Sequence, residues 1–259
     1  MSNNTNLLSC KNLQLTIADK TICNNLSISF NKGEVWGILG RNGAGKTSLL
    51  HTLAGLRATQ SGDVFMQQQN INHMSRKKIV QQLGILLQHN NDSFPCSVLE
   101  STLIGRHPHI GNWQWESAHD KKIALDALAQ VEMKKLAQRS TEQLSGGEQQ
   151  RVAIAALISQ TPDIFLLDEP DSHLDLHYQI KLLNDFQQLA QEHNKLIIMC
   201  IHDINLAARF CDHFLMLYGE GQYIIGHKDD VLTEQNLEKV YQHPFDKLLS
   251  KKQLLFMPA

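Results

Sequence analysis

The chain has 259 residues, with 24 lysines and arginines against 26 aspartates and glutamates, and a formal net charge of -2. That length suits one large domain with a sizeable core, and the balanced charge argues against electrostatic binding to nucleic acid or membranes. Five scattered cysteines without a Cys-x-x-Cys pair favour reduced thiols in a cytosolic protein. The polar first residues lack a signal-peptide pattern, and no apolar run is long enough to span a bilayer.

The first third of the chain predicts strands followed by a helix. Apolar and polar residues alternate between positions 7 and 30, which predicts two antiparallel, half-buried strands joined by a turn at 18–20. The apolar run at 35–39 predicts a buried strand, and residues 48–54 predict a helix.

The segment between that strand and helix has the phosphate-loop pattern of glycine, four residues and Gly-Lys-Thr. Its candidate nucleotide-binding residues are Gly40, Arg41, Asn42, Gly43, Ala44, Gly45, Lys46, Thr47 and Ser48. Glycines let backbone N–H groups point at phosphate oxygens, and the helix N-terminus adds partial positive charge. Lys46 would reach the β- and γ-phosphates, and the Thr47 hydroxyl would bind Mg²⁺. The alternative is a glycine-rich turn with a solvated lysine, which the flanking strand and helix disfavour.

Residues 89–160 differ in sequence pattern from the predicted α/β elements, because prolines, glycines and tryptophans interrupt helical stretches near 97–105 and 117–131. We interpret them as a helical subdomain inserted into an α/β core made of residues 1–88 and 161–259. Further core elements are predicted as strands at 163–168, 196–201, 213–217 and 222–225, and as helices at 175–193, 203–210 and from 233 onward.

Two carboxylates, Asp168 and Glu169, end one of these apolar strands. Ligands of open α/β sheets bind at the carboxyl ends of the strands. Asp168 would hold Mg²⁺ through its water shell, and Glu169 would polarise the attacking water. A solvated acidic turn is the alternative, but the apolar strand and the phosphate loop in the same chain favour a function.

A second anion-binding pattern lies about a hundred residues after the first, at Ser145, Gly146, Gly147 and Glu148. These residues directly precede a helix predicted over 149–160. Such a helix N-terminus offers a hydroxyl, backbone N–H groups and the helix dipole to an anion. A lone Ser-Gly turn would be an ordinary cap, but a second anion site in one chain needs a different explanation.

With these motifs in order, residues 7–245 resemble the ATP-binding subunits of ABC transporters. The motifs that carry the resemblance are the phosphate loop, Gln88, Leu-Ser-Gly-Gly-Glu at 144–148, Asp168-Glu169, Ser172-His173-Leu174-Asp175 and His202. The resemblance implies an α/β fold of the phosphate-loop ABC ATPase type, with a mixed core sheet, an antiparallel β subdomain and the inserted helices. It also implies ATP and Mg²⁺ as cofactors.

The same resemblance implies that two copies pair head to tail, so that Ser145 to Glu148 of one copy close over the γ-phosphate held by Lys46 of the other. Gln88 would contact Mg²⁺ and the attacking water, and Asp175 would cross the dimer interface. His202 would contact the γ-phosphate and Glu169. Ile17, or a residue nearby, stands where the family usually stacks an aromatic ring on adenine, and would make a weaker apolar contact.

Local stretches at 105–109, 202–209 and 236–241 resemble the bacterial subgroup that serves iron–siderophore, haem and cobalamin uptake. The resemblance implies two integral-membrane permease subunits as partners, a substrate-binding protein indirectly, no nucleic acid, and a place on the inner face of the cell membrane. The alternatives are an exporter subunit and a soluble ABC-type ATPase of DNA repair or chromosome organisation. The soluble alternative is disfavoured because the chain lacks heptads and a basic excess.

Overall fold

The computed structural model describes residues 6–87, 95–111, 113–250 and 253–259. Within these ranges the strands are β1 Asn6–Ile17, β2 Lys20–Asn31, β3 Val35–Gly40, β4 Ser61–Met66, β5 Gln69–Asn70, β6 Leu83–Leu86, β7 Ile164–Asp168, β8 Leu196–Cys200, β9 His213–Gly219, β10 Gln222–His227, β11 Phe245–Ser250 and β12 Gln253–Pro258. The α-helices are α1 Lys46–Leu53, α2 Arg76–Gln82, α3 Val98–Leu103, α4 Ala118–Gln130, α5 Gly146–Ser159, α6 Leu176–His193, α7 Ile204–Phe210, α8 Lys228–Val231 and α9 Glu234–Tyr241.

Across the described residues, the strands form two larger sheets and a terminal hairpin. The central sheet has the strand order β10-β9-β3-β8-β7-β6, and the second sheet has the order β2-β1-β4-β5. Strands β9 and β10 are antiparallel, whereas the other neighbouring pairs of the central sheet are parallel. The second sheet is antiparallel throughout. The mixed core sheet and the separate antiparallel sheet confirm the predicted fold class.

Strand β7 shows why the sequences of the central strands are unbroken apolar runs. Phe165 and Leu167 belong to the buried cluster on one face of the sheet, together with α5 and α6. Ile164 and Leu166 belong to the cluster on the other face, together with α1 and the antiparallel sheet. Side chains alternate between the two faces of a strand, and here both faces are covered, so every position is apolar until Asp168.

The parallel strands also determine where polar segments meet. Ile38, Cys200 and Asp168 lie level with one another across β3, β8 and β7. The chain leaves all three strands at the same edge of the sheet. The phosphate loop, Glu169 and His202 therefore emerge side by side.

Helices α3, α4 and α5 pack on one another in the part of the chain that was predicted to be helical. The exact division into a core and a helical subdomain stays a prediction. In the described ranges, no helix combines the length and hydropathy that a membrane span requires.

The C-terminal hairpin is the main element that the sequence prediction missed. Strands β11 and β12 pair from Phe245↔Pro258 to Ser250↔Gln253, and Phe256 is buried in the main core. The short helix α8 was missed as well. Both elements are too short for a clear periodic signal, and the hairpin contacts the distant helix α7 as well as the neighbouring helix α9.

Replacing Phe186 by alanine tests the packing of α6 on the sheet. This ring is 1% exposed and its centroid lies 5.7 Å from that of Phe165. We expect the free energy of unfolding to fall by about 3–5 kcal/mol, because the truncation leaves a cavity. Denaturant unfolding measures the change. The matched control is Leu176→Ala on the same helix, where the side chain is 65% exposed and the expected change is within about 0.5 kcal/mol. Equal losses in both variants would contradict this account of the core.

Candidate nucleotide-binding site

The phosphate loop turns from β3 into α1 through glycines with positive φ. Gly43 has a φ of +73° and Gly45 a φ of +97°, a region that side chains rarely occupy. A Cβ atom at Gly45 would lie 2.4 Å from Cδ1 of Ile22 in strand β2. Glycine is therefore required at position 45 for two reasons: the backbone has a positive φ, and β2 leaves no space for a side chain.

Lys46 is the first residue of α1 and is only 7% exposed. Its Nζ donates hydrogen bonds to the carbonyl oxygens of Gly40 at 2.8 Å and Arg41 at 3.4 Å. No carboxylate in the described part of the chain forms a salt bridge with it. An amino group that is held by neutral carbonyls, and not by a carboxylate, is available to an anionic ligand.

An open pocket of about 500 Å³ lies over this loop, a size typical of ligand sites. Its lining residues are Ile17, Lys20, Ile22, Asn42, Gly43, Gly45, Lys46, Thr47, Ser48, Glu169 and His202. The pocket thus joins the phosphate loop to the residues that follow β7 and β8. It also places Ile17 on the wall formed by the β1–β2 hairpin, where the sequence predicted an apolar contact.

Lys20 and Ile22 line the pocket although the sequence did not single them out. Lys20 Nζ donates a hydrogen bond to the carbonyl oxygen of Gly43 at 2.6 Å. Lys20 stands directly after the turn of the first hairpin, and only the packing of that hairpin against the loop brings it to the pocket. A second lysine therefore stands beside the expected phosphate position.

Asp168 has the environment of a metal-binding carboxylate. The residue is 1% exposed, and neither carboxylate oxygen has a hydrogen-bond partner among the described residues. The neighbouring Cys200 thiol is at most a weak donor. Burial and the Asp168 charge raise the pKa of that thiol, so it stays neutral. A buried carboxylate that lacks donors fits a hydrated Mg²⁺ ion, for which Thr47, in the lining of the adjoining pocket, would supply a hydroxyl.

Glu169 follows β7 directly and adopts a φ of +50°, which is uncommon for residues other than glycine, asparagine and aspartate. Its Oε1 lies 2.5 Å from Nε2 of His202, the residue that follows β8 by two positions. Backbone strain of this kind occurs at functional sites. The contact holds a carboxylate and an imidazole together at the edge of the pocket.

The Ser-Gly-Gly-Glu segment caps helix α5. Ser145 Oγ accepts the N–H of Glu148 at 3.3 Å, and Glu148 Oε2 accepts the N–H of Ser145 at 2.8 Å. These reciprocal bonds start the helix at Gly146, three residues earlier than predicted, because the glycines lie inside the first turn. The Ser145 N–H is also the main reason why the pKa of Glu148 lies below its usual value.

Residues Ser145 to Glu148, the signature segment, pack against the loop that follows Glu169. A Cβ atom at Gly147 would lie 2.9 Å from the carbonyl oxygen of His173, so only glycine permits this approach. Asp175, at the end of the loop, caps α6 and accepts the N–H of Tyr178 at 3.0 Å. The two segments therefore form one continuous surface.

The structure does not bring every predicted site residue to the pocket. Its lining excludes Asp175 and all four signature residues, Ser145 to Glu148. Gly40, Arg41 and Ala44 of the loop do not line the pocket, nor does Asp168 at the end of β7, and the Arg41 guanidinium donates to the Gln242 side chain. Gln88 lies outside the described residues. One chain thus presents two separate sets of candidate phosphate-binding groups.

The fold and the pocket define a nucleotide-binding domain of the phosphate-loop type. A profile of the ABC transporter family matches residues 23–172. The chain therefore belongs to the ABC transporter family, as an ATP-binding subunit, which confirms the resemblance found in the sequence.

Two relatives are each 35% identical to the chain. The hemin import ATP-binding protein of Escherichia coli O157:H7 aligns over 242 residues, which are 91% of this chain and 92% of that protein. The iron(3+)-hydroxamate import ATP-binding protein of Bacillus subtilis aligns over 238 residues, which are 92% of this chain and 88% of that one.

Two solved structures support the same assignment. An inward-facing metal-chelate type ABC transporter matches with a TM-score of 0.85 and 28% identity, and 98% of each chain is covered. A dimeric, post-hydrolysis ATP-binding cassette bound to ADP and phosphate matches with a TM-score of 0.73 and 26% identity, covering 85% of this chain and 98% of that one.

Replacing Lys46 by alanine tests the phosphate-binding role of the loop. We expect ATP affinity to fall about tenfold to a hundredfold, because a charge-assisted hydrogen bond to phosphate contributes about 1.5–3 kcal/mol. Calorimetric titration with ATP measures the change. The control is Lys195→Ala, whose Nζ pairs with Asp163 at 2.7 Å at the opposite edge of the sheet. Unchanged affinity in the Lys46 variant would refute the role.

Proposed function

We propose that this chain hydrolyses ATP to power a bacterial importer of an iron chelate, haem or a related metal complex. The observation that carries the hydrolytic part is the pocket itself. It is lined by a buried lysine and a glutamate–histidine pair, and the buried carboxylate of Asp168, which does not line it, directly precedes Glu169 at the same edge of the sheet.

Each part of the pocket has a distinct task in this proposal. Lys46 and the loop N–H groups bind the phosphates, while Thr47 and Asp168 hold Mg²⁺, which neutralises charge on the phosphate oxygens when it is bound. Glu169 orients the attacking water and accepts its proton. His202 keeps that carboxylate in place and faces the γ-phosphate. Gln88 is proposed as a further ligand of Mg²⁺ and water.

The separate position of the signature segment supports a pair of chains. Ser145 and the N–H groups that follow it form an exposed helix N-terminus, a suitable environment for phosphate. Because these groups lie outside the pocket of their own chain, a second copy placed head to tail would receive them at its nucleotide. The dimeric cassette among the matching structures is consistent with this arrangement.

The import role rests on the relatives. Names of the two relatives specify hemin and iron(3+)-hydroxamate import. We place this chain accordingly on the inner face of the cell membrane, bound to two permease subunits that receive the closing motion through the helical subdomain at 89–160. A substrate-binding protein would act through the permease.

Copurification with a permease would distinguish this role from a soluble ABC-type ATPase, and the direction of transport in vesicles would exclude an exporter.

Replacing Glu169 by glutamine tests the catalytic assignment. We expect ATP to bind with nearly unchanged affinity while kcat falls about a hundredfold to a thousandfold, because the amide cannot accept the proton of water. Steady-state phosphate release measures the rate. The control is Asp163→Asn, because Asp163 directly precedes β7 at the end of the strand that is opposite to Glu169. This variant should leave the rate within about twofold. Rapid turnover by the glutamine variant would rule out the role of Glu169.

Replacing Ser145 by arginine tests the two-chain site. We expect the isolated chain to bind ATP normally but to fail to dimerise with ATP in the Glu169→Gln background, because a bulky side chain would occupy the space of the γ-phosphate. Sedimentation measures dimerisation.

The matched control for this variant is Ser117→Arg. Ser117 forms the same type of capping box with Asp120 at the start of α4, and lies outside the signature segment. It should lose a similar cap, worth about 1 kcal/mol, and still dimerise. Loss of ATP binding by the isolated Ser145 variant would contradict the two-chain arrangement.

A further inference from the structure

A single side chain fixes the C-terminal hairpin to helix α7. Asn205 Oδ1 accepts the N–H of Phe256 at 2.8 Å, and its Nδ2 donates to the carbonyl oxygen of the same residue at 3.2 Å. The amide therefore engages both main-chain groups of one residue, as a neighbouring strand would. The Phe256 ring is 2% exposed in the main core, so the strand that carries it is firmly anchored.

Asn205 is also bound to the segment that contains His202. The Asp203 carboxylate caps α7 and accepts the N–H groups of Asn205 at 2.7 Å and Leu206 at 3.0 Å. The main chain of Asn205 is thus tied to the cap, and its side chain is tied to the hairpin. Residues 203–206 are therefore joined by hydrogen bonds, directly after His202, and the Asn205 side chain connects them to the hairpin.

The His202 side chain depends on this backbone support. It is 46% exposed, so surrounding side chains cover only about half of the imidazole. Its contact with Glu169 requires the loop after β8 to stand at the correct distance from β7. A displacement of about 1 Å at a reacting group can reduce a rate a hundredfold.

The end of helix α9, which precedes the hairpin, also lies near the site. Gln242 accepts a hydrogen bond from Arg41 in the phosphate loop. Burial, reinforced by the Asp203 carboxylate, raises the pKa of Tyr241 to about 12, so its hydroxyl stays neutral beside the cap. The end of α9 therefore lies near both the phosphate loop and the cap that follows His202.

We infer that Asn205 is a positioning residue for hydrolysis, which sets the place of His202 by joining α7 to the C-terminal hairpin. The inference rests on the proposed function, because that function gives His202 its part in the reaction. Nucleotide binding does not require this connection, since Lys46 and the phosphate loop lie on other elements. We therefore expect the docked hairpin to be required for ATP hydrolysis and not for ATP affinity.

The first test compares Asn205→Ala with Asn236→Ala in the full chain. We expect Asn205→Ala to lower kcat about fivefold to tenfold while KM and ATP affinity stay unchanged. Asn236 is a matched control because it is also half-buried and makes two side-chain hydrogen bonds, with Tyr218 at 3.0 Å and Val231 at 2.8 Å. Its variant should lose similar thermal stability and keep kcat within twofold. Equal loss of kcat in both variants would overturn the inference.

A double-variant comparison identifies the route of the effect. In a His202→Ala background, Asn205→Ala should reduce the single-turnover rate no further, because the group that it positions is gone. An additional fivefold loss in that background would show a general structural effect and overturn the inference. A wild-type rate for His202→Ala would overturn both the inference and the proposed role of His202.

Nuclear magnetic resonance separates the inference from the proposed function. In the nucleotide-free chain, the imidazole signal of His202, assigned by its absence in His202→Ala, should shift in Asn205→Ala and stay in place in Asn236→Ala. An unmoved signal in Asn205→Ala overturns the positioning role, whatever the ATPase rate. If the signal shifts in Asn205→Ala but the wild-type chain does not hydrolyse ATP, the connection between Asn205 and His202 is supported and the proposed function is refuted.

Discussion

The parallel pairing of β3, β8 and β7 is the constraint on which the site depends. Ile38, Cys200 and Asp168 are level in these strands, so the chain segments that follow them leave the sheet at one edge. The phosphate loop, His202 and Glu169 meet there because both faces of the sheet are covered by apolar layers. The edge is the place where the chain leaves these apolar layers and can present polar groups to a ligand.

The same arrangement leaves the site incomplete within one chain. Helix α5 presents its capped N-terminus beside the loop that leads to Asp175, and neither element borders the pocket. Each copy therefore carries one set of groups for the nucleotide in its own pocket and a second set that faces away from it. In the proposed head-to-tail pair, both sets would contact nucleotide, and turnover would depend on contact between subunits. Such dependence on association would suit the proposed role of driving motion in a permease.

Much of the fold could be predicted because the relevant signals are local. Apolar runs of four to six residues marked β3, β7 and β8, and polar turns and capping residues such as Thr233 and Asp175 marked where helices begin. The start of α5 was placed too late because its first turn contains two glycines. The hairpin β11–β12 and the approach of Lys20 to Gly43 were missed, since both depend on contacts between residues distant in the sequence.

The sequence by itself determined the chemistry of the groups: a glycine-rich loop with Lys46 and Thr47, the carboxylates Asp168 and Glu169, and the Ser-Gly-Gly-Glu cap. It could do so because motif spacing encodes local backbone geometry, and local geometry is what phosphate binding requires. Only the tertiary structure decided which groups share a pocket, which lie outside it, and how the hairpin is bonded to α7. Those outcomes follow from strand order and long-range packing, for which the spacing of residues along the chain carries no direct signal.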